Sequence, residues 1–190
     1  MYLDRCDGGY TLEAWKYVQE NGTCSGGLYL ARGCCKPYSF HPCGEHAGQP
    51  YYGECEKDNE DTPVCREKCQ FVYRKRYADD KIYAKSAYLV DQDEEAIQKE
   101  IMTGGPVQAA FLVYLDFHFY SGGVYVHSID WLVGAHAIKI IGWGVEDGLK
   151  YWLVANSWNS DWGEEGYFKI LRGNNECEIE SEVIAGVMKV

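Results

Sequence analysis

A histidine and an asparagine stand at opposite ends of two consecutive apolar runs, where they could act on a substrate together. His136 opens a run rich in β-branched residues, Asn156 closes the next run, and a short turn at 146–148 separates them. Strands joined by a tight turn are usually antiparallel neighbours, so the start of one lies beside the end of the next. The amide oxygen of Asn156 could then accept one imidazole N–H and fix the tautomer, which leaves the other ring nitrogen for a nucleophile.

The tryptophans that follow Asn156 strengthen this interpretation. Trp158 and Trp162 could cover the pair and keep water from competing for its hydrogen bond. A structural alternative stays open, in which the two strands are half-buried and the histidine is hydrogen-bonded within the fold without any catalytic role. The order of these residues resembles the histidine–asparagine half of papain-type cysteine proteases, and of the cathepsin B-like group in particular. Other segments in the same order, from Cys6-Asp-Gly-Gly-Tyr to Glu180-Ser-Glu-Val, extend the resemblance over essentially the whole chain.

The elements that surround this pair are predicted to include two helices and a set of short strands. Helical spacing of apolar residues predicts an amphipathic helix over 11–20, with Trp15 on its buried face. A second helix is predicted over 91–102, where Asp93 can cap the first turn. Short β patterns separated by turns begin after Pro106 and predict a barrel-like antiparallel sheet. The predicted strands cover 107–114, 123–126, 136–143, 151–156, 167–171 and 183–187.

The chain is therefore predicted to be α+β, with a change from helical to β pattern near 86–93. The resemblance implies a papain-like two-domain fold in truncated form. Residues 1–88 would be the remainder of the helical, disulfide-rich left domain, and residues 89–190 the β-barrel-like right domain with His136 and Asn156. The segment at about 34–69 resembles the occluding loop of cathepsin B-like enzymes, a flap over the primed end of the cleft.

The resemblance also implies substrate-binding roles. It places Gly8 and Gly9 along the cleft, and Ala135 and Trp158 beside the catalytic pair, with Trp158 part of the primed subsites. His46 would bind a substrate's C-terminal carboxylate, although the family usually has two adjacent histidines where this chain has Glu45 and His46. An ordinary surface loop is the alternative for that segment.

Glu182 is the last residue to which the resemblance gives a substrate-binding role. The family has a glutamate at the floor of the pocket for the second residue upstream of the cut. Glu182 lies in an acidic run with Glu178 and Glu180, and on a regular strand all three would share one face. The alternative is a solvated acidic surface.

The nucleophile that this chemistry requires is not recognisable in the chain. The family's Cys-Gly-Ser-Cys-Trp segment does not occur among the 190 residues. The usual separation of about 130–150 residues before the histidine points towards Cys6, but Cys6 precedes Asp-Gly-Gly and does not open a helix. We therefore expect a C-terminal portion whose nucleophile and oxyanion glutamine lie upstream, and which has no peptidase activity by itself.

Nine cysteines, six of them between Cys34 and Cys69, predict a disulfide-stapled segment in an oxidising compartment. A zinc site made by Cys65, Cys69, His41 and His46 fits no known spacing well, so we predict no metal and no cofactor. The resemblance implies two disulfides and leaves one pair to our own inference. The implied pairs are Cys35–Cys69 and Cys43–Cys55, and the inferred pair is Cys24–Cys34.

The net charge of −11 argues against nucleic acid and anionic membrane surfaces as partners, and no apolar run is long enough to span a membrane. The resemblance implies peptide or protein substrates, cystatin-type inhibitors and a missing N-terminal segment of the same enzyme as partners. It also implies a lysosomal or secreted location. Two alternatives remain: a non-catalytic family member that binds peptides or inhibitors, and a secreted disulfide-rich structural module.

Overall fold

The computed structural model describes residues 8–55 and 62–189, which form three α-helices, two 3-10 helices and nine strands. The α-helices are α1 (Thr11–Asn21), α2 (Tyr77–Asp80) and α3 (Glu94–Gly104), and the 3-10 helices are Leu115–Phe119 and Glu176–Glu178. The first strands are β1 (Gly26–Gly27), β2 (Lys36–Pro37), β3 (Ala84–Leu89) and β4 (Val107–Tyr114). The others are β5 (Val124–Tyr125), β6 (Leu132–Glu146), β7 (Leu149–Ala155), β8 (Tyr167–Leu171) and β9 (Val183–Met188).

The described residues divide into two compact units. The first unit takes its residues from Met1–Ser86 and Met188–Val190, and the second is Ala87–Val187. No helix in the described ranges is both long and apolar enough to cross a lipid bilayer.

The largest sheet has seven strands in the order β3-β9-β4-β6-β7-β8-β5. The pairs of β4 with β6 and β9, and of β7 with β6 and β8, are antiparallel, whereas β5 and β8 are parallel. The α+β class is confirmed, but the barrel-like closure is not. Closure would require the end strands β3 and β5 to pair, and they remain at opposite edges of the sheet.

The core of the second unit lies on one face of this sheet. Side chains of β4 alternate strictly, so that Val107, Ala109, Phe111 and Val113 are buried and their neighbours are half-buried. The buried residues of β7 and β8 pack against them, together with the fully buried Phe117 of the first 3-10 helix. These strands thereby hold the ends of β6 and β7 in fixed positions.

The helices follow their predicted patterns closely. Asp93 caps α3, because its side chain accepts a hydrogen bond from the backbone N–H of Ala96 at 3.1 Å. Ile97 is fully buried on the inner face of that helix. Helix α1 differs in one respect: none of its residues is fully buried, and Trp15 is half-buried. Its apolar face is therefore only partly covered.

The first unit contains both disulfides that the resemblance implied, Cys35–Cys69 and Cys43–Cys55. The inferred Cys24–Cys34 disulfide is wrong, since both thiols are free. The adjacent Cys34 and Cys35 lie in a bend before β2, and their sulfurs have different neighbours. The Cys24 sulfur accordingly lies within 4.8 Å of the sulfur of Cys35, whereas the Cys34 sulfur lies 3.7 Å from the carbonyl oxygen of Ala31.

Candidate active site

Strands β6 and β7 bring His136 and Asn156 together. On β6, His136 lies opposite Phe111 of β4, and the register of β6 with β7 pairs Lys139 with Ala155. Asn156 follows directly at the end of β7. The His136 Nε2 and Asn156 Oδ1 atoms are 2.9 Å apart, which is a hydrogen-bond distance. The hairpin of β6 and β7 thus forms the His136–Asn156 contact that the sequence predicts.

The orientation of the Asn156 amide fixes the histidine tautomer. Its Oδ1 also accepts the backbone N–H of Ser157 at 2.7 Å, so the oxygen, and not the NH₂ group, faces these two partners. The Nε2 of His136 must therefore carry a hydrogen and donate it. In the neutral ring the lone pair is then on Nδ1, the nitrogen available to a reacting group. The Asn156 Nδ2 is buried and has no hydrogen-bond partner within the described part of the chain.

Aromatic rings enclose the histidine. Trp158 stacks on His136 with 5.4 Å between ring centroids and 22° between planes, and Phe111 lies at 6.1 Å. Trp162 packs edge-on against Trp158 at 5.1 Å. Such apolar cover excludes water and strengthens the hydrogen bond to Asn156. His136 itself is only half-buried and remains open to a reactant.

His118 extends this stack, and sequence reasoning did not identify it. Its ring lies parallel to that of Trp158, with 5.0 Å between centroids and 5° between planes. The indole N–H of Trp162 donates to the His118 backbone carbonyl at 3.3 Å. His118 sits in a 3-10 turn, whose placement depends on tertiary packing and has no periodic signal in the sequence.

The acidic run is not a strand, which corrects the expectation that its three glutamates share one face. Glu178 lies in the second 3-10 helix with a φ of +61°, and the chain turns there before β9 begins. As a result Glu180 is buried, whereas Glu178 and Glu182 are exposed. The Glu180 carboxylate accepts hydrogen bonds from the indole N–H of Trp152 and from the backbone N–H groups of Gly173 and Asn175. Glu180 is therefore a structural residue.

Three candidate substrate-binding residues belong to the first unit. Gly8 and Gly9 are exposed, and the φ of +103° at Gly8 is in the region that favours glycine. The His46 Nε2 lies 2.9 Å from the carbonyl oxygen of Cys43, within the loop closed by the Cys43–Cys55 disulfide. Ala135, in the second unit, is exposed next to His136. The substrate-binding roles of these residues stay predictions.

The free thiols do not supply an obvious nucleophile. Cys177 is the only cysteine in 87–187, and it is buried, with its sulfur 3.9 Å from Nδ1 of His127. Burial raises the pKa of the Cys177 thiol, and the Glu176 carboxylate raises it further. A nucleophilic cysteine needs the opposite shift, towards the thiolate. Cys24, Cys34 and Cys65 are free thiols of the first unit, while Cys6 lies outside the described residues.

Comparison with known protein families decides the class. Residues 2–187 match the model of the family described as papain family cysteine protease. The chain belongs to this family. Its papain-family fold is also seen in a solved structure, procathepsin B S9 from Trypanosoma congolense, with a TM-score of 0.75 and 34% identity. That match covers 97% of this chain and 55% of the other.

Cathepsin B-like proteinases of nematodes are similar to this papain-family chain. Cathepsin B-like cysteine proteinase 1 of Haemonchus contortus is 51% identical over 97% of this chain and 54% of its own length. Proteinase 6 of Caenorhabditis elegans is 52% identical over 97% of this chain and 49% of its own length. The chain thus spans about half the length of these curated relatives. It covers all of a third, proteinase 3 of Ostertagia ostertagi, at 50% identity.

Proposed function

We propose that this chain is the histidine–asparagine part of a cathepsin B-like cysteine peptidase, which cleaves peptide bonds as an endopeptidase or dipeptidyl carboxypeptidase. The observation that carries the proposal is the 2.9 Å contact of His136 Nε2 with Asn156 Oδ1, with the amide oxygen fixed by the Ser157 N–H. This arrangement leaves Nδ1 as the only ring nitrogen that can exchange a proton with a nucleophile. The similarity to cathepsin B-like proteinases supports the substrate class.

In the proposed mechanism, Nδ1 of His136 takes the proton of a cysteine thiol and forms a thiolate–imidazolium pair. The thiolate attacks the peptide carbonyl, and Nδ1–H then protonates the leaving amine as the acyl-enzyme forms. A water molecule gives its proton to Nδ1 and hydrolyses the thioester, which returns the thiol. Through all these steps Asn156 orients the ring and stabilises its charged form, and Trp158 excludes bulk water from the hydrogen bond.

This mechanism requires a cysteine beside His136. Within 87–187 the one cysteine, Cys177, instead has His127 and Glu176 as neighbours, and the sequence contains no Cys-Gly-Ser-Cys-Trp segment. We therefore expect the chain alone to show no epoxide-sensitive peptidase activity. The measurement is turnover of a dibasic fluorogenic peptide by the refolded chain, with and without a thiol-alkylating epoxide. Turnover that the epoxide abolishes would contradict the prediction and make one of the present cysteines the nucleophile.

The positive test uses what we call the completed enzyme, in which this chain is joined to the Cys-Gly-Ser-Cys-Trp-containing segment of a cathepsin B-like relative. The proposed function requires the completed enzyme to cleave peptides and to lose that activity on alkylation. A folded completed enzyme that binds cystatin-type inhibitors without cleaving peptides would instead indicate a non-catalytic family member.

Glu182 carries a prediction about specificity in the completed enzyme. Its carboxylate would pair with an arginine as the second residue upstream of the cut. Since Glu182 is exposed, solvent weakens such a pair, and we expect Glu182→Ala to lower kcat/KM for an Arg-Arg substrate about fivefold. A Phe-Arg substrate should be unaffected, and Glu178→Ala, in the same exposed run, should change neither. Equal losses of kcat/KM on both substrates would indicate that Glu182 supports the fold and does not contact the substrate arginine.

We also propose an oxidising location, lysosomal or secreted, and peptide or protein substrates with cystatin-type inhibitors as partners. The two disulfides of the first unit support the oxidising compartment, since such bonds are rare in the cytosol.

A further inference from the structure

A second cluster of reactive side chains lies away from the His136–Asn156 pair. His127 follows β5, and Glu176 and Cys177 belong to the second 3-10 helix, 49 residues further along the chain. The imidazole Nδ1, a carboxylate oxygen and the thiol sulfur all lie within 4.8 Å of one another. The proposed peptidase mechanism uses none of these three groups.

The separations within the cluster resemble those of metal ligands. Cys177 Sγ is 3.9 Å from His127 Nδ1 and 3.4 Å from Glu176 Oε1. Bond lengths to zinc predict that ligand atoms of a tetrahedral site lie roughly 3.2–3.8 Å apart. The 3.9 Å separation slightly exceeds this range, and the 2.6 Å contact of Nδ1 with Oε1 is too short, because these atoms now share a hydrogen. Loss of that proton would let them separate around a cation.

The donor set also suits zinc chemically. Imidazole nitrogen, thiolate sulfur and carboxylate oxygen are the three ligand types that zinc uses in proteins, whereas calcium and magnesium prefer oxygen alone. Cys177 is buried, and the side chain of Glu176 is 10% exposed. The side chain of His127 is 30% exposed, which gives an ion access to the cluster from solvent.

Neighbouring groups hold the cluster in the manner of an outer coordination shell. Asp130 Oδ1 lies 3.4 Å from His127 Nε2, so a carboxylate faces the ring nitrogen opposite the one in the cluster. The Asp130 side chain is 96% exposed, so this contact only weakly favours a hydrogen on Nε2. The backbone N–H of His127 donates to Glu176 Oε1 at 2.9 Å, and Tyr114 stacks on the imidazole at 4.4 Å. The side chains are thus oriented before any ion binds.

We propose that His127 Nδ1, Glu176 and Cys177 Sγ form a zinc-binding site, in which the stacking of Tyr114 orients the histidine. On binding, the Cys177 thiol proton is released to solvent and the hydrogen of the neutral His127 ring moves from Nδ1 to Nε2, so that the Nδ1 lone pair binds the ion; a water molecule completes the tetrahedron. The bound ion would tie the segment after β5 to the turn before β9. Without an ion, the His127–Glu176 pair would hold the same two segments less firmly.

The test uses cobalt(II) as a spectroscopic probe for zinc, in the 190-residue chain and in the completed enzyme after alkylation of its catalytic cysteine. A tetrahedral site with one thiolate should give a thiolate-to-cobalt charge-transfer band that zinc abolishes by competition. Zinc should also raise the Tm of both proteins, because it binds the folded state.

Variants locate the site. Cys177→Ser and His127→Gln should each remove the charge-transfer band or weaken cobalt binding by about 100-fold or more. Cys65→Ser and His41→Gln are the matched controls, because both residues are exposed and outside the cluster. Circular dichroism checks that each variant is folded. A band that persists in Cys177→Ser, or the absence of any zinc-competed band in both proteins, overturns the proposal, whatever the outcome for peptidase activity.

Discussion

Replacing His136 by alanine in the completed enzyme is expected to lower kcat/KM for peptide substrates by on the order of 10³-fold or more. The substitution removes the imidazole whose Nδ1, under the proposed mechanism, takes the thiol proton and returns it to the leaving amine. Because the ring does not hold the core together, the protein should still fold. The measurement is steady-state turnover of a fluorogenic peptide, with active sites counted by alkylation.

Substitutions at two neighbouring residues should have smaller effects than His136→Ala. Asn156→Ala leaves the imidazole but removes its fixed acceptor, so we expect a smaller loss, on the order of tens of fold. His118→Ala is the matched control, since it removes an imidazole from the same Trp158 stack without touching Asn156. Its effect should stay within a few-fold. Comparable losses for His136→Ala and His118→Ala would show that the stack, and not proton transfer, limits the reaction.

Glu180→Ala should destabilise the chain by about 1–3 kcal/mol. The buried carboxylate accepts from the indole N–H of Trp152 at 2.8 Å and from the backbone N–H groups of Gly173 and Asn175 at 2.7 and 2.9 Å. Truncation leaves the buried indole N–H of Trp152 without this partner, and a buried unsatisfied donor costs about 1–3 kcal/mol. Gly173 and Asn175 are exposed, so water can replace the carboxylate at their N–H groups. The free energy of unfolding, from urea titrations followed by tryptophan fluorescence, measures the loss.

Glu178→Ala is the control for this stability change. Glu178 is two residues away and exposed, so its removal should change the free energy of unfolding by less than about 0.5 kcal/mol. Glu180→Gln should fall between the two, because an amide oxygen can accept some of the same hydrogen bonds. If Glu180→Ala behaved like Glu178→Ala, the three hydrogen bonds would contribute little net stability.

Local patterns predicted the parts of the fold in which sequence neighbours are also neighbours in space. The alternation of β4 and the cap at Asp93 depend only on periodicity and on one side chain. Strand β3 was missed, because a half-exposed strand with two alanines, a lysine and a serine has no clear apolar alternation. The one cysteine pair inferred without the resemblance, Cys24–Cys34, was wrong, since the direction of a side chain is set by tertiary structure.

The parts of the candidate site formed by sequence neighbours could likewise be predicted, and the parts formed by distant residues could not. The contact of His136 with Asn156 could be predicted because one tight turn joins their strands and fixes the register. The acidic run was wrongly predicted to be a strand. Positive φ values at Cys177 and Glu178 break a strand there, and neither residue is a glycine, which would have indicated such a conformation from the sequence. The cluster of His127 with Glu176 depends on a long connection, for which single-sequence patterns give no signal.

The two hydrogen bonds that meet at the Asn156 oxygen have a consequence for the energetics of proton transfer. Oδ1 accepts from Nε2 of His136 whether the ring is neutral or charged, and the Ser157 N–H holds that oxygen still in both states. Only Nδ1 gains and loses a proton, so no dipole at this end of the ring has to rotate as the charge appears. Under the proposed mechanism the environment is already arranged for the imidazolium, and the reorganisation energy on this side of the reaction is small.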